Sequence, residues 1–142
     1  MMYFDHSATT PVHPDVLALM NSIQSTIYGN PSSIHSLGRK ARSIIENSRK
    51  QIAKAINAKP SQIVFTSGGT EANNQVFWSM IHQEKKHVLA SSIEHPAVLQ
   101  VLSKLSSFGI GHDLIPVNSK GEMSISGLDS KLLNNTGLVS VM

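Results

Sequence analysis

A chain of 142 residues that is 40% hydrophobic and 15% charged has the make-up of one globular domain, or of a piece of a larger one, and not of a disordered polymer. Its 12 Lys and Arg exceed 9 Asp and Glu by only three and are scattered, without the basic stripe a nucleic-acid binder needs. With no cysteine, a disulfide scaffold, a thiolate metal site and a catalytic thiol on this chain are all excluded.

No window holds the roughly 18 consecutive apolar residues of a membrane span, and Met1-Met2-Tyr3-Phe4-Asp5-His6 has no signal or transit pattern. The reading is of a cytoplasmic protein without membrane or nucleic-acid partners. In chain order, 1–13 form an arm rich in small polar residues. Pro14 and Asp15 open a helix on which Val16, Leu19, Met20, Ile23 and Ile27 share a face. Tyr28-Gly29-Asn30-Pro31-Ser32-Ser33 breaks it into an ordered turn. A long helix follows from Ser33, striped by Leu37, Ala41, Ile44, Ile45, Ser48, Ile52, Ala55 and Ile56. These helices make up a region 14–60, and 61–142 a second one. There, 62–66 reads as a short buried strand, and 67–71 turns into a helix reaching about Glu84. A strand at 87–90, a helix from Pro96, a strand at 113–116, a helix capped from Ser126 and a strand at 137–142 complete the pattern. Alternating strands and helices predict an α/β unit with a mainly parallel sheet. The final strand has no helix after it, so the chain is expected to be the front of a larger protein.

Ligands of such sheets sit beyond the carboxyl ends of the strands, and two segments there carry chemistry. In Thr66-Ser67-Gly68-Gly69-Thr70-Glu71, glycines without Cβ atoms let backbone N–H groups approach an anion at a helix N-terminus, and Thr70 adds a hydroxyl. That suits a phosphate, although no Gly-Lys-Ser/Thr follows, so it is not a nucleotide P-loop. The plainer alternative is a strand–turn–helix with Thr70 as N-cap. In Ser92-Ile93-Glu94-His95-Pro96, His95 falls on the same rim, where an imidazole could stack on a flat ring or move protons; the alternative is an exposed histidine near a helix start. The remaining histidines lack metal-ligand spacing, so no metal site is expected.

Taken together, these segments resemble the cysteine desulfurases of the class V aminotransferase group. The resemblance is carried by Tyr3-Phe4-Asp5-His6-Ser7-Ala8-Thr9-Thr10-Pro11, by Gly29-Asn30-Pro31-Ser32-Ser33-Ile34-His35 with Gly38 and Ala41, and by Val64-Phe65-Thr66-Ser67-Gly68-Gly69-Thr70-Glu71 with Asn74. Glu94-His95-Pro96-Ala97-Val98 and Leu138-Val139-Ser140-Val141-Met142 complete it. Five motifs in register over nearly the whole chain match roughly the first third of such an enzyme. The resemblance implies a fold-type-I transferase dependent on pyridoxal 5'-phosphate (PLP), of which the chain holds the N-terminal arm and the first, incomplete part of the large-domain sheet. It implies a homodimer that takes sulfur from L-cysteine, leaves alanine, and passes a persulfide to a sulfur acceptor or iron–sulfur scaffold protein for cluster assembly or thiolation. Gly69 and Thr70 fall where the family binds the PLP phosphate, and His95 where a histidine stacks on the pyridine ring and assists proton transfer.

The family's Schiff-base lysine lies in a Ser-x-His-Lys segment, and this chain has no His-Lys dipeptide. The persulfide cysteine is absent as well. The expectation is an N-terminal portion that is inactive alone. Alternatives are a non-catalytic binding module on the same scaffold, or part of another class V enzyme such as selenocysteine lyase.

Overall fold

A computed structural model of the chain describes residues 2–142 and divides it into two compact units, one reaching Val64 and the other Phe65–Met142. In the first unit, α1 (Pro14–Thr26) starts where Pro14 takes the first helical position and His13 caps it, Nδ1 accepting from Asp15 N at 3.3 Å. Proline is suited to that position because its missing N–H would have no helical partner there. The turn after α1 is built by Asn30, whose Oδ1 accepts from Ser32 N at 2.8 Å and whose carbonyl accepts from Ser33 N at 3.0 Å. It runs against the start of α2 (Ser36–Ala55) so closely that a Cβ on Gly29 would lie 2.6 Å from the Leu37 carbonyl, and one on Gly38 2.6 Å from Asn30 O. Two glycines here are a condition of the backbone approach. His35 caps α2, with Nδ1 accepting from Gly38 N at 3.3 Å. Of the expected stripe, Ala41 is buried and Ile44 and Ile45 are half-buried, while Ile52 and Ile56 remain 42% and 64% exposed.

The expected strand at 62–66 does not form. Pro60–Gln62 makes a single 3-10 turn, and the chain then runs on without a ladder, Val64 65% and Phe65 46% exposed. β-branched and aromatic residues favour a strand only where a neighbouring strand takes up their backbone groups, and no strand among the described residues pairs with this segment.

The second unit is a three-stranded parallel sheet in the order β2-β1-β3, with β1 at His87–Ser91, β2 at Gly111–Ile115 and β3 at Thr136–Ser140. β1 is buried throughout, as expected of a central parallel strand. In β3 an extra residue, Gly137, slips the register between His87↔Thr136 and Val88↔Leu138. One face of β1 presents Val88 and Ala90 to the apolar sides of α3 (Gly69–Ser79) and α4 (Pro96–Ser106). With Phe77, Met80, Val98, Val101, Leu102, Leu105 and Ile110 they form the core. α3 stops at Ser79 and tightens into a 3-10 turn at Met80–His82, short of the expected Glu84. The short α5 (Ile125–Lys131) lies against β2. Its cap is Ser124, whose Oγ accepts from Gly127 N at 2.9 Å, and not Ser126. The cap geometry requires extended backbone and an acceptor reaching the third amide onward, which Ser124 satisfies two residues earlier than expected.

The opposite sheet face holds a polar strap. His87, 5% exposed, places Nδ1 2.8 Å from Thr136 Oγ1 and Nε2 3.4 Å from Asp113 Oδ2, so one imidazole joins all three strands. No helix among the described residues is long and apolar enough to cross a membrane.

Candidate functional site

The glycine turn before α3 has a telling detail. The N-cap of α3 is Gly68, which has no side chain to offer, and Gly69, Thr70 and Glu71 occupy the first three helical positions. Thr70 is therefore inside the helix and does not cap it. The first N–H groups of a helix have no acceptor within it. Ala72 N already bonds to Gly68 O at 3.1 Å, so the open donors are the amides of Gly69, Thr70 and Glu71, joined by the exposed Thr70 hydroxyl. A Cβ built on Gly68 or Gly69 meets nothing within 4 Å, so the space beside the two glycines is clear. Glu71 does not fill it: its Oε2 accepts from Ser67 Oγ at 2.5 Å and Ser67 N at 2.7 Å. The Ser67 hydroxyl, and then its amide, hold that carboxyl below the usual glutamate range. The same bonds fix the loop that presents the glycines. Behind them, Asn74 donates from Nδ2 to Thr70 O at 2.8 Å and accepts from Trp78 Nε1 at 3.0 Å, bracing the first two turns of α3.

The second segment leaves the carboxyl end of β1. His95 is the N-cap of α4, exposed, with Nδ1 accepting from Ala97 N at 3.1 Å and Pro96 in the first helical position. Because Nδ1 is an acceptor, the neutral ring carries its proton on Nε2, and Nε2 is the nitrogen left to face a ligand. The residue before it, Glu94, is 8% exposed. Its Oε1 accepts from Ser91 Oγ at 3.2 Å and from Ser140 Oγ at 3.0 Å, bridging the carboxyl ends of β1 and β3.

Thr70 and Ala97, each the second residue of its helix, line one cavity of about 200 Å³ between α3 and α4, which continues past Asn74, Trp78, Gln100, Val101 and Lys104; Gly69 and His95 are not among the residues that line it. One of the two helices has unused N-terminal donors and the other is headed by an imidazole. Such an arrangement can receive a dianion and hold a flat ring beside it. Sequence reasoning had pointed to Gly69, Thr70 and His95 and passed over Glu94. Ser91 and Ser140, the partners that make its carboxylate a clamp, are 49 positions apart on β1 and β3.

A parallel sheet whose strands are joined through helices defines an α/β domain of the doubly wound type. More closely, the chain belongs to the class V aminotransferase family, whose family model matches residues 2–142. The family's enzymes use PLP. A cysteine desulfurase of Nostoc sp. is 38% identical over 144 residues, covering 100% of this chain and 36% of that protein. A solved NifS-like protein superposes with a TM-score of 0.88 at 35% identity, over 95% of this chain and 38% of its own. A structure described as SspA in complex with cysteine gives 0.88 at 36% identity, over 99% and 42%. The chain therefore spans little more than a third of the length of the relatives it matches, which fits the N-terminal portion of such an enzyme. The expected fold-type-I architecture, incomplete, is the one observed.

Proposed function

We propose that this chain is the N-terminal part of a cysteine desulfurase and supplies the phosphate seat and the ring-facing histidine of its PLP site. The observation that carries the reading is the N-terminus of α3, which no side chain caps, with the amides of Gly69, Thr70 and Glu71 beside a glycine pair around which space is clear. These donors fit a phosphate ester: they are unspent within the helix and at the positive end of its dipole. Support for cysteine as substrate comes from the names of the relatives, one of them solved with that amino acid.

When bound, PLP supplies an electron sink for chemistry at the substrate's α-carbon. Gly69 and Thr70 would hold its phosphate. His95 would face the pyridine ring, and with Nδ1 held by Ala97 N it would hold or move a proton at Nε2. The reaction is the removal of sulfur from L-cysteine to give alanine, in a cytoplasmic homodimer that hands persulfide sulfur to an acceptor or iron–sulfur scaffold protein. The lysine and cysteine that this chemistry requires are not supplied by these 142 residues, which hold no cysteine and no His-Lys segment.

Equilibrium dialysis with PLP tests the seat. The chain should bind PLP and lose about tenfold or more in affinity in Thr70→Val, the loss of one hydrogen bond to a charged group. Borohydride should leave no cofactor attached to a lysine, and L-cysteine should yield no sulfide. Binding insensitive to Thr70, or sulfide release by the chain alone, would overturn the assignment.

A further inference from the structure

The buried carboxylate of Glu94 has no part in the chemistry above, and its surroundings are specific. At the carboxyl edge of the sheet it ties two strands together. Oε1 accepts from Ser91 Oγ, at the end of β1, and from Ser140 Oγ, at the end of β3. The same Ser91 Oγ takes Met142 N at 3.4 Å, and Glu94 N returns to Ser91 O at 3.3 Å. The turn from β1 into α4 is thus closed on itself and fastened to the neighbouring strand. A carboxylate withdrawn from water is costly unless hydrogen bonds replace its hydration. Here both donors come from strand ends, so the cost is met only when the strands and the turn are in register.

His95 is the next residue, and its own ring is aimed by the bond from Ala97 N to Nδ1. That bond depends on where the backbone of Glu94 delivers His95. We propose that Glu94 is a positioning residue for His95: its clamp on Ser91 and Ser140 fixes the entry into α4, so that the imidazole keeps Nδ1 on Ala97 and turns Nε2 toward the cofactor. The proposal rests on the PLP reading for what the ring faces, but not for the clamp itself. The hydrogen bonds of both serines run to Glu94 and Met142 and not to the imidazole, so the effect passes through the backbone of the turn.

The test is residue-resolved amide exchange of the full chain without cofactor, in Glu94→Ala, Glu94→Gln and Ser140→Ala. Glu94→Ala should speed exchange of the Ala97 amide by about tenfold, the size of one lost hydrogen-bond restraint, while the Val88 and Leu89 amides keep wild-type protection. Glu94→Gln retains an oxygen at the Oε1 position and should restore Ala97. Ser140→Ala removes one donor, leaves the turn sequence intact and should give a smaller, equally selective change; it carries the test if Glu94→Ala does not fold. Unchanged Ala97 exchange in the variants that fold, or acceleration spread evenly over β1 and α4, overturns the proposal. With PLP added, the induced circular dichroism of the cofactor should weaken in Glu94→Ala and return in Glu94→Gln. Failure of wild type to bind PLP would sink the cofactor reading and leave the exchange result standing. Normal PLP binding with unaltered Ala97 exchange would sink the positioning role alone.

Discussion

Deleting a single backbone donor separates the phosphate seat from the stability of the helix that carries it. Gly69 is the first residue of α3, where its N–H has no acceptor within the helix. Proline is tolerated at this position and fixes a helical φ, and Gly68 before it is extended at φ 172° and ψ 175°, a conformation compatible with a following proline. Gly69→Pro should therefore leave the fold as stable as wild type while removing one of the amides offered to the phosphate. A hydrogen bond to a charged group contributes about 1.5–3 kcal/mol, so PLP affinity should fall between roughly tenfold and a hundredfold or more. Gly69→Ala is the control. It keeps the N–H, its Cβ meets nothing within 4 Å, and reduced freedom of the unfolded chain should add about 0.4–1 kcal/mol of stability without loss of affinity. Binding is read from quenching of Trp78, the protein's single tryptophan, which is coupled to Thr70 through Asn74. Stability is read from urea denaturation. A well-folded Gly69→Pro protein that binds PLP with wild-type affinity would refute the amide seat.

Gly38→Ala sets helix propensity against crowding. Alanine gains about 1 kcal/mol over glycine inside a helix, but its Cβ would stand 2.6 Å from Asn30 O and 2.8 Å from Ser33 Cβ, and overpacking typically costs about 1–3 kcal/mol. With backbone as the obstacle, the denaturation midpoint should fall; a rise would show that the turn yields freely. Glu71 makes the glycine loop before α3 acid-sensitive. Its carboxyl is held below the ordinary value in the folded state, so the contribution of its bonds to Ser67 is fully present above the unfolded carboxyl's titration range. It is lost as pH falls through the lower, folded value. An NMR titration should show the Ser67 amide shifting with the Glu71 carboxyl, and Ser67→Ala should move that midpoint upward. A midpoint unaltered by Ser67→Ala would assign the shift to another cause.

Elements governed by neighbouring residues were legible in the sequence. The strand at 87–90 and the helix from Pro96 appear where apolar runs and proline placed them, and the N-terminal helix begins at Pro14 as read. The misses share a cause. Gln62-Ile63-Val64-Phe65-Thr66 has the residues of a strand, but pairing is decided by distant chain, and among the described residues no strand forms a ladder with it. Ser126 begins a sequence that suits a cap, yet Ser124 has the extended backbone that makes a cap. Gly69, Thr70 and His95 could be singled out because donors at a helix start that follows a turn suit an anion or a ring, although histidine also serves plainly as an N-cap at His13 and His35. Glu94 could not, since its meaning lies in a bond to Ser140, 46 positions away. Nor does a sequence distinguish Thr70 as cap from Thr70 as the second helical residue, although that difference leaves the α3 amides unspent.

The order β2-β1-β3 also bears on how the sheet is born. β1 can pair with β2 once a helix and a turn have been made, but its other edge waits for β3, and the His87–Thr136 bond that seals it joins residues 49 apart. Contacts so distant along the chain slow folding and leave strand edges open meanwhile. On the ribosome, this central strand would emerge well before its second neighbour, and chaperone protection during that interval would matter more for it than for the helices on either side.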